Sequence, residues 1–235
     1  MYIARIDDMT RRHYGQSCSV AGALDRIGER WSLLIVRELL LGPLRFSDLA
    51  RAVGGAPTDV LTRRLRDLEA DGIVSRRQLD PPASATAYEL TELGRGLEAP
   101  LLELGRWGLN FLSIEDVPGI ESSWLPNSLR VILRPPPEVS LSVWLRSGGH
   151  SFRLRVGDGW IDAERGEDPA ADLVLSGEPQ AVLAGLIAGE PGEAGLDVEG
   201  DRAALEALRG MVVLPERLRD EVLAFVAAQA EPAPA

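Results

Sequence analysis

Residues 58–72, TDVLTRRLRDLEADG, decide the fold of the first half of the chain. At about 100° per residue, Leu61, Leu65 and Leu68 fall within about 60° of one another and form one apolar face. The pattern therefore predicts an amphipathic helix over 58–71 that buries this face. The opposite direction carries the polar residues Asp59, Thr62, Arg63 and Arg66.

Three further residues define this helix. Thr58 is predicted to be the N-cap, and Asp59 beside it suits the positive end of the helix dipole. Gly72 is predicted to end the helix. Arg64 falls within the apolar arc, so we expect a structural role in which its long side chain extends past the core to pair with an acidic residue.

The flanking segments have an order that is informative. Helical spacing over 20–28 and 31–41 ends at Gly42-Pro43, and a short amphipathic helix over 46–53 follows. After the 58–71 helix come two extended runs, 73–79 and 85–91, separated by the turn sequence DPPAS. A last helix is predicted over 93–112, with a break or kink at Pro100. This order, within an overall α+β chain, predicts a winged helix-turn-helix domain over residues 1–112.

Such a domain inserts the polar face of its longer helix into the major groove of DNA. Arg45 and Ser47, at the start of the preceding helix, are candidates to hold phosphate. Arg76 and Arg77 on the hairpin 73–90, with Ser84 and Thr86 near its tip, suit a wing that contacts phosphate or the minor groove. The alternative for each charged face is an ordinary solvated surface. The prediction of DNA binding therefore depends on the whole order of a short helix, a turn, a longer helix and a hairpin. The candidate DNA-binding residues are Arg45, Ser47, Thr58, Asp59, Thr62, Arg63, Arg66, Arg76 and Arg77.

A family resemblance follows from three stretches. They are CSVAGALDRIGERWSLLIVRELLLGPLRFSDL (18–49), VLTRRLRDLEADGIVSR (60–76) and YELTELGRGL (88–97). Together they resemble the HxlR family of winged-helix regulators, over about residues 14–112. The resemblance implies a homodimer built from the N-terminal segment and the last helix of the domain, and a pseudo-palindromic operator. The candidates for the dimer seam, whose alternative role is plain intradomain core, are Leu97, Leu101, Leu104 and Trp107.

Cys18 falls where some members of that family carry a thiol that senses oxidants or electrophiles, although Ser19 replaces the proline commonly found next. Sensing needs a lowered pKa and exposure, and the alternative is an inert small hydrophobe. A single cysteine also excludes an internal disulfide framework.

The second half of the chain has a different pattern. Residues 113–137 are predicted to be a linker, and short strands and helices over 138–235 indicate an α+β domain. The stretches GDGW (157–160), ADLVLSGEPQAVLAGLIAGE (171–190) and GLDVEGDRAALEAL (195–208) resemble a sterol-carrier-protein-like domain. That resemblance implies an apolar tunnel for lipid-like ligands. The candidate ligand-binding residues are Trp144, Trp160, Leu183, Leu186 and Ile187.

Those five residues have an alternative role as ordinary core, and the domain has an alternative role in dimerisation alone. The charge of the chain is divided unequally between its halves: residues 1–114 have 15 acidic residues and 15 arginines, whereas all of the net charge of −11 lies in residues 115–235. This negative charge would discourage the second domain from lying on DNA and suits a sensor held away from it.

Several classes of function lack support in the sequence. One cysteine and the distant His13 and His150 make no common zinc spacing, and no nucleophile-elbow or P-loop sequence is present. We therefore predict no catalytic site, metal or cofactor. The polar N-terminus has no signal-peptide pattern and no apolar run spans a membrane, which favours the cytoplasm. The predicted function is a DNA-binding transcriptional regulator. The alternative is a lipid or small-molecule binding protein that uses its winged-helix unit for protein interaction.

Overall fold

The computed structural model describes residues 13–78, 85–113, 120–189 and 195–230. The chain forms two compact units, the first comprising Met1–Leu39 and Pro43–Leu97 and the second comprising Leu40–Gly42 and Glu98–Ala235. The tip of the predicted hairpin, including Ser84, and part of the predicted linker lie outside the described residues.

The first unit has the architecture of a winged helix-turn-helix domain, as predicted. Its elements are α1 (Ser19–Ile27), α2 (Ser32–Leu40), β1 (Leu44–Arg45), α3 (Phe46–Val53), α4 (Thr58–Ala70), β2 (Val74–Gln78), β3 (Thr86–Leu90) and α5 (Glu92–Arg95). The three strands form an antiparallel sheet with the order β1-β3-β2, in which Val74 of one hairpin strand lies opposite Leu90 of the other.

Helix α4 has the two faces that its periodicity predicts. Leu61, Leu65 and Leu68 are all fully buried in the core of the first unit. The chain turns at Gly72, which has a φ of +70°. The predicted N-cap was wrong by one residue, since Pro57 occupies the cap position and Thr58 is already helical. The proline ring fixes φ near the −58° that this cap adopts. Because proline has no side-chain acceptor, the helix starts without a side-chain cap from the described residues.

The helix predicted over 93–112 is two helices. α5 ends at Arg95, and α6 (Glu98–Gly108) begins three residues later. Pro100 lies in the first turn of α6, where its missing N–H removes no helical hydrogen bond. The break therefore precedes the proline, and α6 belongs to the second unit.

The second unit is an α+β structure around a five-stranded mixed sheet. The elements after α6 are α7 (Leu125–Ile132), β4 (Leu141–Ser147), β5 (His150–Gly157), β6 (Trp160–Arg165), β7 (Leu173–Ser176), α8 (Pro179–Ala188), β8 (Asp197–Gly200), α9 (Arg202–Gly210) and α10 (Glu216–Ala230). The strand order is β6-β5-β4-β7-β8, with β4 and β7 parallel and the other pairs antiparallel.

The core of this unit lies on one face of the sheet. Buried side chains alternate along the central strands, with Leu141, Val143 and Leu145 facing inward from β4. Helices α7 to α10 contribute to the same apolar cluster. The alternate positions therefore form the opposite, more polar face of the sheet.

The segment predicted as a linker contains α7. Leu125, Leu129 and Ile132 are buried in the core of the second unit, because their i, i+4, i+7 spacing puts them on one side of the helix. Compact structure thus begins well before residue 138. Among the described residues, no helix is both long and apolar enough to cross a membrane.

Candidate DNA-binding surface

The outward face of α4 presents two arginines to solvent. Arg63 and Arg66 are exposed, as are Thr58 and Asp59 at the start of the helix. Within the described residues, neither Arg63 nor Arg66 takes part in an ion pair. An Arg guanidinium without a carboxylate partner keeps its full set of donors for an external acceptor. The leucines on the inner face fix the helix, so these cations are held on a rigid support.

Thr62 is only half exposed and its hydroxyl is already used. Its Oγ1 donates to the carbonyl oxygen of Thr58 at 2.7 Å, within the same helix. The hydroxyl proton is therefore occupied, while the oxygen can still accept a hydrogen bond. This distinguishes Thr62 chemically from Arg63 and Arg66, which have no ion pair among the described residues.

Arg64 has the structural role predicted for it. The residue is 8% exposed, and its guanidinium donates to Asp67 at 2.9 Å and to Glu29 at 3.1 Å. Glu29 lies in the turn before α2, so this pair joins α4 to that turn. Arg64 thus belongs to the scaffold and not to the surface.

The hairpin arginines are exposed but have partners. Arg76 pairs with Glu69 of α4 at 3.1 Å and lies over the ring of Tyr88, and Arg77 pairs with Glu89 of β3 at 3.4 Å. About half of each arginine side chain is exposed, and pairs of this kind contribute little to stability. A phosphate could therefore compete for either guanidinium. Thr86 is also on the surface, where it accepts a hydrogen bond from Gln78 at 2.9 Å.

The start of α3 carries the remaining candidates. Arg45 occupies the N-cap position with an extended backbone, and Ser47 is exposed in the first turn. No side chain of the described residues caps this helix with a hydrogen bond. Its first N–H groups are thus not satisfied by a capping side chain, which suits an anion.

Two neighbouring residues were not singled out from the sequence. The guanidinium carbon of Arg30 lies 5.0 Å from the ring centroid of Trp31, and Trp31 has a φ of +80°. An arginine next to a tryptophan just before an apolar helix was the available signal. The positive φ could not be read from the sequence, because non-glycine residues rarely adopt it.

Cys18 occupies the N-cap position of α1 and is exposed. The backbone N–H of Ala21, and to a lesser extent that of Val20, lowers the pKa of its thiol. Both features that reactivity requires, exposure and a lowered pKa, are present.

The five ligand candidates of the second unit do not come together. Leu183 and Leu186 are buried in the core, and Ile187 packs against it. Trp144 lies at an alternate position of β4, on the opposite face of the sheet, where its Nε1 donates to Ser151 Oγ at 2.6 Å. Trp160 begins β6, is 39% exposed and lies beneath the guanidinium of Arg130. These side chains do not converge on one space.

A shallow cleft in the second unit is bordered by Trp160 and by two arginines, Arg106 and Arg130. Arg130 is 1% exposed, and its donors are used by Glu98, by the side chain of Asn127 and by the carbonyl of Ile161. Its charge is therefore satisfied internally. Within the described residues, no group of three or more His, Cys, Asp or Glu side chains could hold a metal ion.

Comparison with known proteins identifies the family of the first part of the chain. The family described as "HxlR-like helix-turn-helix" matches residues 26–116. An HTH-type transcriptional regulator of Mycobacterium bovis is 39% identical over 116 residues, which are 49% of this chain and 72% of that protein. The chain belongs to the HxlR-like helix-turn-helix family.

Other HxlR-like relatives agree. YtcD of Bacillus subtilis, an HTH-type transcriptional regulator, is 36% identical over 45% of this chain and 82% of its own length. Among solved structures, that of the putative regulator ytcD is 37% identical, covers 40% of this chain and 96% of its own, and has a TM-score of 0.37. The redox regulator HypR in its oxidized form is 37% identical over 39% of this chain and 94% of its own, with a TM-score of 0.36. The curated relatives from both organisms are described as HTH-type transcriptional regulators.

Proposed function

We propose that this HxlR-like chain is a cytoplasmic, sequence-specific transcriptional regulator that binds double-stranded DNA. Helix α4 enters the major groove, and the hairpin over 73–90 is the wing. The observation that carries the proposal is the exposed pair Arg63 and Arg66, free of ion pairs among the described residues, on a helix whose other face is anchored by leucines. Arg recognises guanine through two hydrogen bonds in the major groove.

Each candidate residue has a role in this proposal. Arg63 and Arg66 contact guanines, while Asp59 accepts from cytosine amino groups. Thr62 reads a base as an acceptor, since its proton is already donated within the helix. The remaining candidates contact phosphate, either at helix N-termini or from the wing; they are Arg45, Ser47, Thr58, Arg76 and Arg77.

We further propose that the protein binds DNA as a homodimer. Leu104, Trp107 and Phe111 share one stripe of α6 and its C-terminal extension, at spacings of three and four residues, and are 47%, 62% and 69% exposed. The rings of Trp107 and Phe111 are in edge contact at 4.8 Å. Contiguous exposed apolar side chains of this kind are typical of an interaction site. Leu97 and Leu101 are half-buried and contribute less.

A two-fold dimer implies a pseudo-palindromic operator, because each recognition helix then meets an equivalent half-site. Light scattering of the purified chain tests the dimer, with Trp107→Ser beside wild type. We expect a dimeric mass for wild type and a shift toward monomer for the variant. A monomeric wild-type protein at micromolar concentration would contradict the proposal.

For the second unit we propose a sterol-carrier-like domain with a role in assembly. The mixed five-stranded sheet supports this assignment, together with the three sequence stretches that resemble that family. Leu183 and Leu186 are packed within the core, which favours assembly over an apolar tunnel. Titration of the full chain with a fluorescent fatty acid discriminates the two roles: no saturable binding is expected, and tight binding would favour control by an apolar ligand.

The DNA proposal is tested by fluorescence anisotropy with the intergenic duplex upstream of the protein's own gene, across a salt series. We expect a dissociation constant below one micromolar for this duplex and much weaker binding to a random duplex. If the upstream duplex and a selection from the whole genome both gave no preferred sequence, a lipid or small-molecule binding protein with a protein-interaction winged helix would replace the regulator.

A further inference from the structure

Arg30 is a fixed cation outside the recognition helix. It lies in the turn between α1 and α2, is exposed, and stacks on the indole of Trp31 with 5.0 Å between its guanidinium carbon and the ring centroid. Across the described parts of the chain, Arg30 is in no ion pair. Stacking on an aromatic ring orients a guanidinium without neutralising its charge. All its donors thus remain available to an anion.

Both neighbours of Arg30 are attached to the segment that positions α4. Glu29 accepts a hydrogen bond from Arg64 of α4 at 3.1 Å. A Cβ at Gly55, in the turn before α4, would lie 4.0 Å from Cη2 of Trp31. Trp31 adopts this position at a φ of +80°, a left-handed conformation that the surrounding structure must stabilise. Arg30 is therefore held beside α4 by contacts on either side of it.

The side of α4 that Arg30 borders follows from the helix geometry. At about 100° per residue, Arg64 and Asp67 lie about 60° apart, and Arg63 lies about 40° beyond Asp67. Arg64 and Asp67 thus mark one flank of α4, next to the face that carries Arg63. Because Arg64 binds Glu29 as well as Asp67, the turn containing Arg30 runs along this flank. A helix about 10 Å across nearly fills a major groove about 12 Å wide, so groups at its flank meet the groove's phosphates.

We propose that Arg30, oriented by Trp31, binds a phosphodiester of the DNA backbone beside the recognition helix. The contact is independent of sequence and sets the register of α4 in the groove. This inference rests on the DNA-binding function proposed above. It adds a phosphate contact from the turn before α2 to those expected from α3 and the hairpin.

The test is a salt series of anisotropy titrations with the full chain, on the selected operator and on a random duplex. Arg30→Ala is compared with Arg30→Lys and with Arg202→Ala, which removes an equal charge from an exposed residue of α9. We expect Arg30→Ala to bind each duplex about fivefold more weakly than wild type does. The magnitude of the slope of log K against log salt should fall by about 0.9. Arg30→Lys should keep the wild-type slope, since lysine also binds phosphate.

An unchanged slope for Arg30→Ala, or a loss no larger than that of Arg202→Ala, would overturn the inference and leave the regulator proposal intact. Loss of operator binding alone, with the random duplex unaffected, would also overturn it, because Arg30 would then read a base. A wild-type protein that binds neither duplex would overturn both proposals.

Discussion

The guanidinium of Arg64 lies 3.1 Å from the carboxylate of Glu29, 35 residues earlier in the chain, and joins α4 to the turn before α2. Arg63, next to it in sequence, is exposed and has no ion pair in the part of the chain that the structure describes. Two adjacent arginines of α4 thus have different roles: Arg64 holds the helix in place, and Arg63 faces solvent.

Arg64→Ala should destabilise the first unit without directly removing a DNA contact. The substitution removes two charge-assisted hydrogen bonds from a nearly buried guanidinium, and we expect a loss of about 2 kcal/mol in the free energy of unfolding. Urea denaturation followed by circular dichroism measures it. Arg63→Ala is the matched control and should stay within about 0.5 kcal/mol of wild type. Equal stability of the two variants would contradict the structural role of Arg64.

Glu69→Gln should increase affinity for DNA of any sequence. Glu69 pairs with Arg76 at 3.1 Å, and removing its charge leaves the wing guanidinium free for phosphate. We expect binding to a random duplex about threefold tighter at low salt, with little change in stability because exposed pairs contribute little. The control is Glu216→Gln, an equal charge change at an exposed residue of α10. If both variants tightened binding equally, the effect would be one of net charge and not of the wing.

Gly94→Ala should destabilise the junction between the hairpin and α5. A Cβ at this buried position would lie 2.1 Å from the carbonyl oxygen of Ile73, which is backbone and cannot rotate away. The resulting shift should cost about 2 kcal/mol, measured as the urea midpoint. Gly108→Ala is the control, since its Cβ would meet nothing within 4 Å and stability should be equal or slightly higher. A neutral Gly94→Ala would show that the hairpin junction can move.

Cys18 should react with alkylating agents at lower pH than an ordinary thiol. The N–H groups of Ala21 and Val20 favour the thiolate and lower the pKa of Cys18. The alkylation rate by iodoacetamide should therefore reach half its maximum at a lower pH in the folded chain than in urea. A midpoint equal to that of the unfolded chain would contradict the pKa shift. Sensing of oxidants at Cys18, which the family resemblance implies for this position, predicts that diamide weakens DNA binding of wild type and leaves Cys18→Ser unaffected.

Helix α4 could be predicted from the sequence because its fold is determined locally. Three leucines at helical spacing determine which face is buried, and a glycine marks where the helix ends. The same periodicity correctly assigned Arg64 to the scaffold. The same argument predicted that Arg63 and Arg66 lie opposite the leucines, and both are exposed there. The short strands predicted within 138–235 include β4 and β5, whose buried residues alternate.

Features that depend on distant contacts were not predicted. Strand β1 is two residues long and exists through pairing with Tyr88 and Ala87, more than 40 positions away. The φ of +80° at Trp31 depends on packing around the turn, and its stacking with Arg30 was likewise not predicted. The ligand candidates Leu183 and Leu186 show a related limit, since apolar residues that would line a tunnel and those that fill a core have the same pattern.

The most direct test of the proposed function compares Arg63→Ala with wild type on the operator and on a random duplex, at several salt concentrations. Arg63 should contribute about 1–3 kcal/mol to operator binding through a guanine, and much less to binding of the random duplex. We expect a variant that folds normally, loses roughly 5- to 150-fold in operator affinity and binds random DNA nearly as wild type does. Unchanged operator affinity for both Arg63→Ala and Arg66→Ala would contradict the claim that this face of α4 reads DNA.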